Sequence, residues 1–210
     1  MRRSRWSFVL FIGLFFFYLL FPNGAIGETY PLSVRYEPSK GKEFPSLQQK
    51  IGPHLGLAPF KDDRVDPSRI GVHVSLGGVP TYFKSEPFPL EKALTDSLSG
   101  FLLRSGIKTL PLSPWDGSTE ILRTMETDSV LMVEIKRFWT EGKADLFRTG
   151  SKTSIRLLIH LGVKKEGKVF SKNVELEKEV TVARLTPGRL EMMINQMLSD
   201  IFDAYFSNPY

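Results

Sequence analysis

The sequence predicts an α+β domain, a two-layer sandwich in which a mixed, mostly antiparallel sheet carries two long helices on one face and a long C-terminal hairpin. Two helical stretches, 90–102 and 187–206, each have a single apolar stripe and therefore bury only one side. Segments 152–165 and 168–182 are long, alternating and separated by a Glu-Gly pair, which predicts a hairpin with a two-residue loop.

The predicted elements follow one another without a repeat. Alternation predicts strands near 30–36 and 70–76, and the apolar run 55–60 predicts another between them. Pro89 and Gly106 bracket the first long helix. The later elements are a strand at 107–112, a short helix capped by Ser118, a strand at 130–139, the hairpin, and a last helix that begins at Pro187 after the cap Thr186.

The strand 130–139 is predicted to alternate without interruption. Alternation places Leu131, Val133 and Ile135 on one face together with Trp139, and Phe138 on the opposite face.

The first 27 residues have the three-part layout of a secretory signal peptide. Three arginines among the first five residues are followed by the uncharged run 8–21, and small residues precede a predicted cleavage between Gly27 and Glu28. The protein is therefore expected in the periplasm, with no permanent membrane span after cleavage. The alternative is an inner-membrane protein held by an uncleaved N-terminal anchor.

The remaining chain is predicted to form one folded unit. Residues 28–54 are an N-terminal extension or edge strand, 55–206 are a single α+β domain, and 207–210 are a tail. A domain of this size buries roughly 70% of its unfolded surface, which is enough for stability without disulfides.

Charge and cysteine content exclude several classes of function. The chain has 28 Lys and Arg against 23 Asp and Glu, but three of the cations and none of the acids lie in the leader, so residues 28–210 carry only +2. The cations are interspersed with acids and form no stripe, which argues against nucleic-acid binding. The absence of cysteine excludes disulfides, a thiol nucleophile and a lipid anchor on an N-terminal cysteine.

The sequence predicts no catalytic residue, metal site or cofactor. His54, His73 and His160 share no ligand spacing, and each is expected to pack in a strand or loop. Residues 150–153 read Gly-Ser-Lys-Thr but lead into a strand, whereas a phosphate loop needs the start of a helix. A Ser–His–Asp site assembled from distant segments stays open, because such sites are defined by geometry.

A charged turn follows the strand 55–60 and is singled out as a partner-binding or structural motif. Asp62 and Arg64 are two positions apart, so on an extended segment they point to the same side and can pair or meet a partner. Asp66 opens an Asp-Pro-Ser turn, and Arg69 and Gly71 complete the motif. The simplest interpretation is a turn held by Asp–backbone and Asp–Arg bonds.

These residues carry a family resemblance that covers roughly residues 55–206. Four features occur in order: the run Leu57-Ala-Pro-Phe60, the pair Asp62 and Arg64, the pair Ile70-Gly71, and a helix ending in Leu103-Arg-Ser-Gly106. Together they resemble the YajG-type envelope lipoproteins and, more broadly, the auxiliary lipoproteins of bacterial transport systems. The resemblance implies a periplasm-facing domain related to the TolB N-terminal fold, with no known catalytic site. Those families usually carry a lipidated cysteine, which this chain lacks.

Three hypotheses on function follow. The first is a non-enzymatic envelope protein, a protein-binding or transport-accessory module, whose open strand edges accept a strand from an envelope protein partner. The second is a binder of lipid or cell-wall fragments in a cleft lined by Phe101, Trp139, Phe202 and Tyr205. The third is a hydrolase with a dispersed site, marked by a perturbed acid or histidine in a deep pocket.

Overall fold

A computed structural model describes residues 27–210, so the predicted signal segment lies almost wholly outside the described residues. The strands are β1 (Thr29–Ser33), β2 (His54–Leu57), β3 (Lys61–Asp62), β4 (Gly71–Val74), β5 (Pro80–Glu86), β6 (Lys108–Pro111), β7 (Ser129–Ala144), β8 (Thr149–Val163) and β9 (Lys168–Val182). The helices are α1 (Leu47–Ile51), α2 (Leu90–Arg104), α3 (Thr119–Thr124) and α4 (Pro187–Ser207). No helix within 27–210 combines the length and hydrophobicity needed to cross a bilayer.

Strand β7 is the centre of one mixed sheet. One of its edges pairs with β8 in antiparallel fashion along the whole strand, and β8 pairs with β9 in the same way. Three short parallel strands share its other edge: β2 at residues 129–131, β3 at 134–135 and β4 at 140–143. Strand β6 extends the sheet beyond β2, and β5 and β1 extend it beyond β4.

Helices α2 and α4 cover one face of this sheet, and the main core lies between the two layers. The apolar stripes recur at helical spacing, as with Leu94 and Leu98 of α2 and Ile194 and Leu198 of α4, all at most 1% exposed. They meet the buried row of β8 that includes Leu157. Each fully buried side chain of this kind contributes roughly 1.5–3 kcal/mol. The predicted α+β sandwich with two long helices on one face is confirmed.

A β-bulge in β7 overturns the predicted faces of its second half. The register with β8 shifts between Ile135 and Arg137, so the backbone of Lys136 has no paired residue on β8. One extra residue reverses the alternation, so Phe138 joins the main core at 1% exposure and Trp139 lies on the opposite face. The prediction for these two side chains was wrong because strict alternation assumes an unbroken ladder.

A smaller core covers one end of the opposite face. The segment around α3 packs Trp115 and Leu122 against Val130 and Met132 of β7. The side chain of Ser118 accepts a hydrogen bond from the backbone N–H of Ile121, so the predicted cap of this helix is present. The rest of this face, along β7, β8 and β9, has no helix over it in the described part of the chain and is called the open face below.

Two elements of the structure, strand β5 and the short helix α1, are not predicted by the sequence, and the loop between β8 and β9 is longer than predicted. Gly77-Gly78 lies in the turn that joins β4 to β5, where the N–H of Ser75 donates to the carbonyl of Val79 at 3.0 Å. The loop between β8 and β9 spans the four residues 164–167 rather than two, since Val163 pairs with Lys168. A turn of 3₁₀-helix fills it and ends at Gly167 in the left-handed conformation.

The N-terminal extension is tied to the two long helices. Beyond β1, Tyr36 is 1% exposed and its hydroxyl donates to Oδ1 of Asp203 at 2.9 Å, while Oδ2 of that carboxylate accepts from the N–H of Ser39 at 3.0 Å. Burial, and then the carboxylate of Asp203, raise the pKa of the Tyr36 hydroxyl far above its usual value. The extension therefore closes the core beside α2 and α4.

Replacing Tyr36 by Phe tests this closure. Tyr36→Phe should lower the free energy of unfolding by about 1–2 kcal/mol, because it leaves a buried oxygen of Asp203 without a donor. The matched control is Tyr30→Phe, whose exposed hydroxyl bonds Glu28 and whose loss should leave the unfolding midpoint in urea unchanged. Equal effects of the two variants would contradict this account.

Candidate functional site

Asp62 and Arg64 form a buried ion pair beside the bulge of β7. Their side chains are 5% and 6% exposed, and the guanidinium reaches the carboxylate through two bonds, Nε to Oδ1 at 2.8 Å and Nη2 to Oδ2 at 2.6 Å. The other N–H groups of Arg64 donate to the carbonyls of Arg69 (2.6 Å), Phe138 (3.1 Å) and Pro67 (3.1 Å). All five N–H donors of the guanidinium are thus used, which favours a structural role for this pair.

The other three residues of the motif lie in the same corner, between β3, β4 and β7. Asp66 accepts from the N–H of Ser68 at 3.0 Å, and bonds from Ser68 lower the pKa of its carboxyl group. The guanidinium of Arg69 lies 3.8 Å from the centre of the Tyr82 ring, a cation–π contact that joins the loop to β5. A Cβ on Gly71 would come within 2.6 Å of the carbonyl oxygen of Thr140, so only glycine lets β4 approach β7 here.

The structure therefore brings all five motif residues together and gives each an internal contact. Their role toward a partner stays a prediction, since the contacts described are made within the chain.

The three histidines lie far apart in the fold. His54 begins β2 beside Asp128, His73 lies on β4, and His160 lies on β8. Among residues 27–210, no three Asp, Glu or His side chains are grouped as metal ligands would be. Burial lowers the pKa of both His73 and His160.

His160 belongs to a polar cluster that sequence reasoning missed. Nδ1 of its ring lies 2.7 Å from Oγ of Ser171 on β9, and Nε2 lies 3.6 Å from Oε1 of Glu134 on β7. This is the residue set of a serine hydrolase, but Nε2 makes no hydrogen bond in the described structure, and Glu134 is engaged by Lys136 at 2.6 Å. Strands β7 and β8 are each paired on both sides at this cluster, so the backbone around Glu134 and His160 offers no free N–H groups for an oxyanion.

The rest of the open face carries a ladder of ion pairs. Arg156 pairs with Glu175 across β8 and β9 at 2.6 Å, and Lys152 lies between Glu177 and Glu179 at 3.2 and 3.3 Å. These bonds raise the pKa values of Arg156 and Lys152 and lower that of Glu177. Lys152 belongs to the Gly-Ser-Lys-Thr segment, which lies inside β8 and leads into no helix. A trough of about 680 Å³ runs along this ladder near Glu141, Lys152 and Glu179.

The four aromatic residues expected to line a ligand cleft do not face one another. Phe101, Phe202 and Tyr205 are at most 2% exposed within the main core. Trp139 lies on the open face, where Nε1 donates to Glu141 at 3.2 Å. The sheet separates it from the other three, so this set forms no shared cleft.

The outer edge of β9 is the longest unpaired strand edge in the described part of the chain. Its 15 residues pair only with β8. On the helix-covered face it presents a half-buried apolar row, Phe170, Val174, Leu176, Val180 and Val182. On the open face the odd-numbered positions include Glu175, Glu177 and Glu179.

The predicted cleavage residues lie beside β5. The carbonyl of Glu28 accepts from the N–H of Tyr82 at 2.8 Å, and β1 follows one residue later. Gly27 is the first described residue and lies next to Pro80.

No family model and no curated protein matches the sequence. Several solved structures are similar to this chain. Protein XCC0632 from Xanthomonas campestris, described under the family model DUF330, is 13% identical, with 88% of this chain and 100% of that one aligned at a TM-score of 0.50. A structure described only as an uncharacterized protein is 12% identical over 87% and 97% of the two chains, at 0.49. Lipoprotein GNA1162 from Neisseria meningitidis is 12% identical over 71% and 98%, at 0.38. At 13% identity the likeness to XCC0632 concerns the fold alone, and the resemblance to YajG-type lipoproteins stays a prediction.

Replacing Arg64 by Lys tests the structural role of the Asp62–Arg64 pair. A lysine keeps the charge but lacks the five N–H donors of the planar guanidinium, so backbone carbonyls around the turn lose their donors. Arg64→Lys should therefore lower the free energy of unfolding by about 2–3 kcal/mol. Arg35→Lys is the control, because Arg35 pairs with Glu37 in solvent; it should cost less than about 0.5 kcal/mol. If urea unfolding gave equal free energies of unfolding for Arg64→Lys and Arg35→Lys, the Asp62–Arg64 pair would not have a structural role.

Stability should fall as the pH drops below about 6.5, the ordinary pKa of histidine. The folded-state pKa values of His73 and His160 are lowered by burial, so the unfolded chain takes up protons that the native state does not. Unfolding in urea between about pH 7.5 and 5.5 should show this decrease, and the His73→Gln/His160→Gln variant should lose most of it. A slope that survives in the double variant would contradict the assignment.

Proposed function

We propose that this chain is an exported, non-enzymatic envelope protein that binds an extended segment of a partner protein along the free edge of β9. The observation that carries the proposal is this unpaired 15-residue edge. Its backbone N–H and C=O groups form a ready template for an added strand. The leader of residues 1–27 supports export to the periplasm.

The side chains of β9 define the chemistry of the partner segment. On one face an added strand would cover the half-buried row that includes Val174, Leu176 and Val180, and apolar residues suit that position. On the other face it would run beside Glu175, Glu177 and Glu179, three acids that share the two cations Lys152 and Arg156. The proposed partner is therefore an amphipathic strand with alternating apolar and basic residues.

A non-catalytic role agrees with the polar cluster around His160. The carboxylate of Glu134 is shared with Lys136, and the lowered pKa of His160 reflects burial in the sheet rather than a reaction cavity. The trough on the open face is lined by other residues.

Photo-crosslinking in intact cells tests the proposal. A photoreactive residue at Lys178 or Thr181, both exposed on β9, should give an adduct with one envelope protein, and the crosslinked peptide of that protein should alternate apolar and basic residues. The same residue at Lys92 on α2 or Arg123 on α3, also exposed, is the control and should give none. An adduct of two copies of this chain, or recovery of only the free chain, would overturn the proposal.

Proline substitution adds a test of the binding mode. The N–H groups of an edge strand point alternately inward and outward, so of Lys178→Pro and Glu179→Pro one removes a bond to β8 and the other a group on the free edge. The variant that keeps the thermal midpoint closer to that of the parent chain should nevertheless lose the adduct. Full retention of the adduct in that variant would mean that the partner does not add a strand.

A further inference from the structure

The predicted cleavage site and two hairpin turns lie at the same end of the sheet. One row of paired residues crosses this end: Pro80 pairs with Val74, Val74 with Lys143, and Lys143 with Gly150. Gly27 adjoins the row, because a Cβ on it would come within 2.6 Å of the carbonyl oxygen of Pro80. We call this the leader end of the sheet.

The two turns project beyond this row and carry exposed apolar side chains. The β7–β8 turn contains Leu146 and Phe147, which are 75% and 89% exposed. The β4–β5 turn contains Leu76 and Val79, which are 60% and 41% exposed. Because β4 and β7 are adjacent and parallel, their ends and the two turns are neighbours. Four large apolar side chains on two adjacent turns form a surface that a protein surrounded only by water seldom displays.

Basic groups surround the more exposed turn. Lys143 and Arg148 flank Leu146 and Phe147, and Arg184 follows the end of β9, which pairs with the start of β8. None of the three cations takes part in an ion pair among residues 27–210. Apolar tips with cations around them are the combination that binds a bilayer surface carrying anionic lipid.

The point at which the predicted leader joins the described chain also favours a bilayer as the partner of this surface. The uncharged run 8–21 ends six residues before Gly27, and six residues of extended chain reach about 20 Å at most. While the leader is attached and inserted, the leader end is therefore held close to the bilayer.

We propose that the leader end docks on a bilayer containing anionic lipid, with Leu146 and Phe147 inserted among the headgroups and Leu76 and Val79 beside them. This contact is distinct from strand addition at β9, and neither depends on the other.

The absence of native cysteine allows a direct test with a single label. The full chain is expressed with an Asp145→Cys substitution, recovered from the cell envelope in the N-terminal form that the cells produce, and labelled with an environment-sensitive fluorophore. Asp145 lies in the β7–β8 turn, so Leu146 and Phe147 stay in place. With vesicles of phosphatidylethanolamine and phosphatidylglycerol, the emission should shift to the blue and be quenched by lipids that carry a spin label near the headgroup.

Matched variants separate the turn from general hydrophobicity. Leu146→Ser/Phe147→Ser in the labelled chain should abolish the quenching and lower partition into these vesicles at least about tenfold, as expected for removing two large apolar groups from the interface. Leu103→Ser/Met192→Ser removes two side chains of similar exposure, 64% and 67%, elsewhere on the surface and should change neither readout.

Three results would overturn the proposal. They are an unquenched label in vesicle-bound protein, quenching that survives the Leu146→Ser/Phe147→Ser change, and a blue shift that appears without vesicles and grows with protein concentration. The last would mean that a second copy covers the turns. Crosslinking at β9 is measured separately, so its failure and the failure of bilayer docking can be distinguished.

Discussion

The rest of the structure depends on how the edge of β7 opposite β8 is divided among the short strands β2, β3 and β4. Strand β3 pairs with residues 134–135 of this edge, and β4 pairs with residues 140–143. The bulge at Lys136 lies in the gap between these two paired stretches of β7. Arg64 spans the gap, because its Nη1 bonds the carbonyl of Phe138 while its other N–H groups hold Asp62 and the loop. Backbone bonds from Asp63 to Ile135 and from Thr140 to Ile70 close it on either side. The buried Asp62–Arg64 pair, with every guanidinium donor satisfied, thus replaces the ladder bonds that are missing between β3 and β4. Its main effect is to fix the path of the chain from β3 to β4 along β7.

The bulge also separates the two faces on which any function must be placed. It turns Phe138 into the main core and Trp139 onto the open face. Accessible features of the described chain include the ion-pair ladder of the open face, the free edge of β9 and the turns at the leader end. The two proposed contacts use different physics, since one adds backbone hydrogen bonds to a strand edge and the other buries apolar side chains in a bilayer.

The polar cluster around His160 shows why site prediction from sequence stopped short. A two-residue loop between β8 and β9 would place His160 opposite Asn173, whereas the four-residue loop places it opposite Ser171. A change of two residues in loop length therefore decides which side chains meet, and nothing in the alternation of either strand reports it. Strand β5 was missed for a different reason: Gly77-Gly78 is a recognised hairpin signal, and it could have been used to find the strand that follows.

The sequence by itself determined the two long helices, the long hairpin and the class of the sheet, because the period of apolar residues reflects local geometry that each segment carries with it. It also identified the Asp62–Arg64 turn, since residues two apart on an extended segment share a side. Only the tertiary structure decided that Arg64 reaches Phe138, that Trp139 leaves the core and that the two apolar turns lie at the same end of the sheet as Gly27. Each of these depends on register between strands distant in sequence, and register is settled by packing and bulges rather than by any single segment.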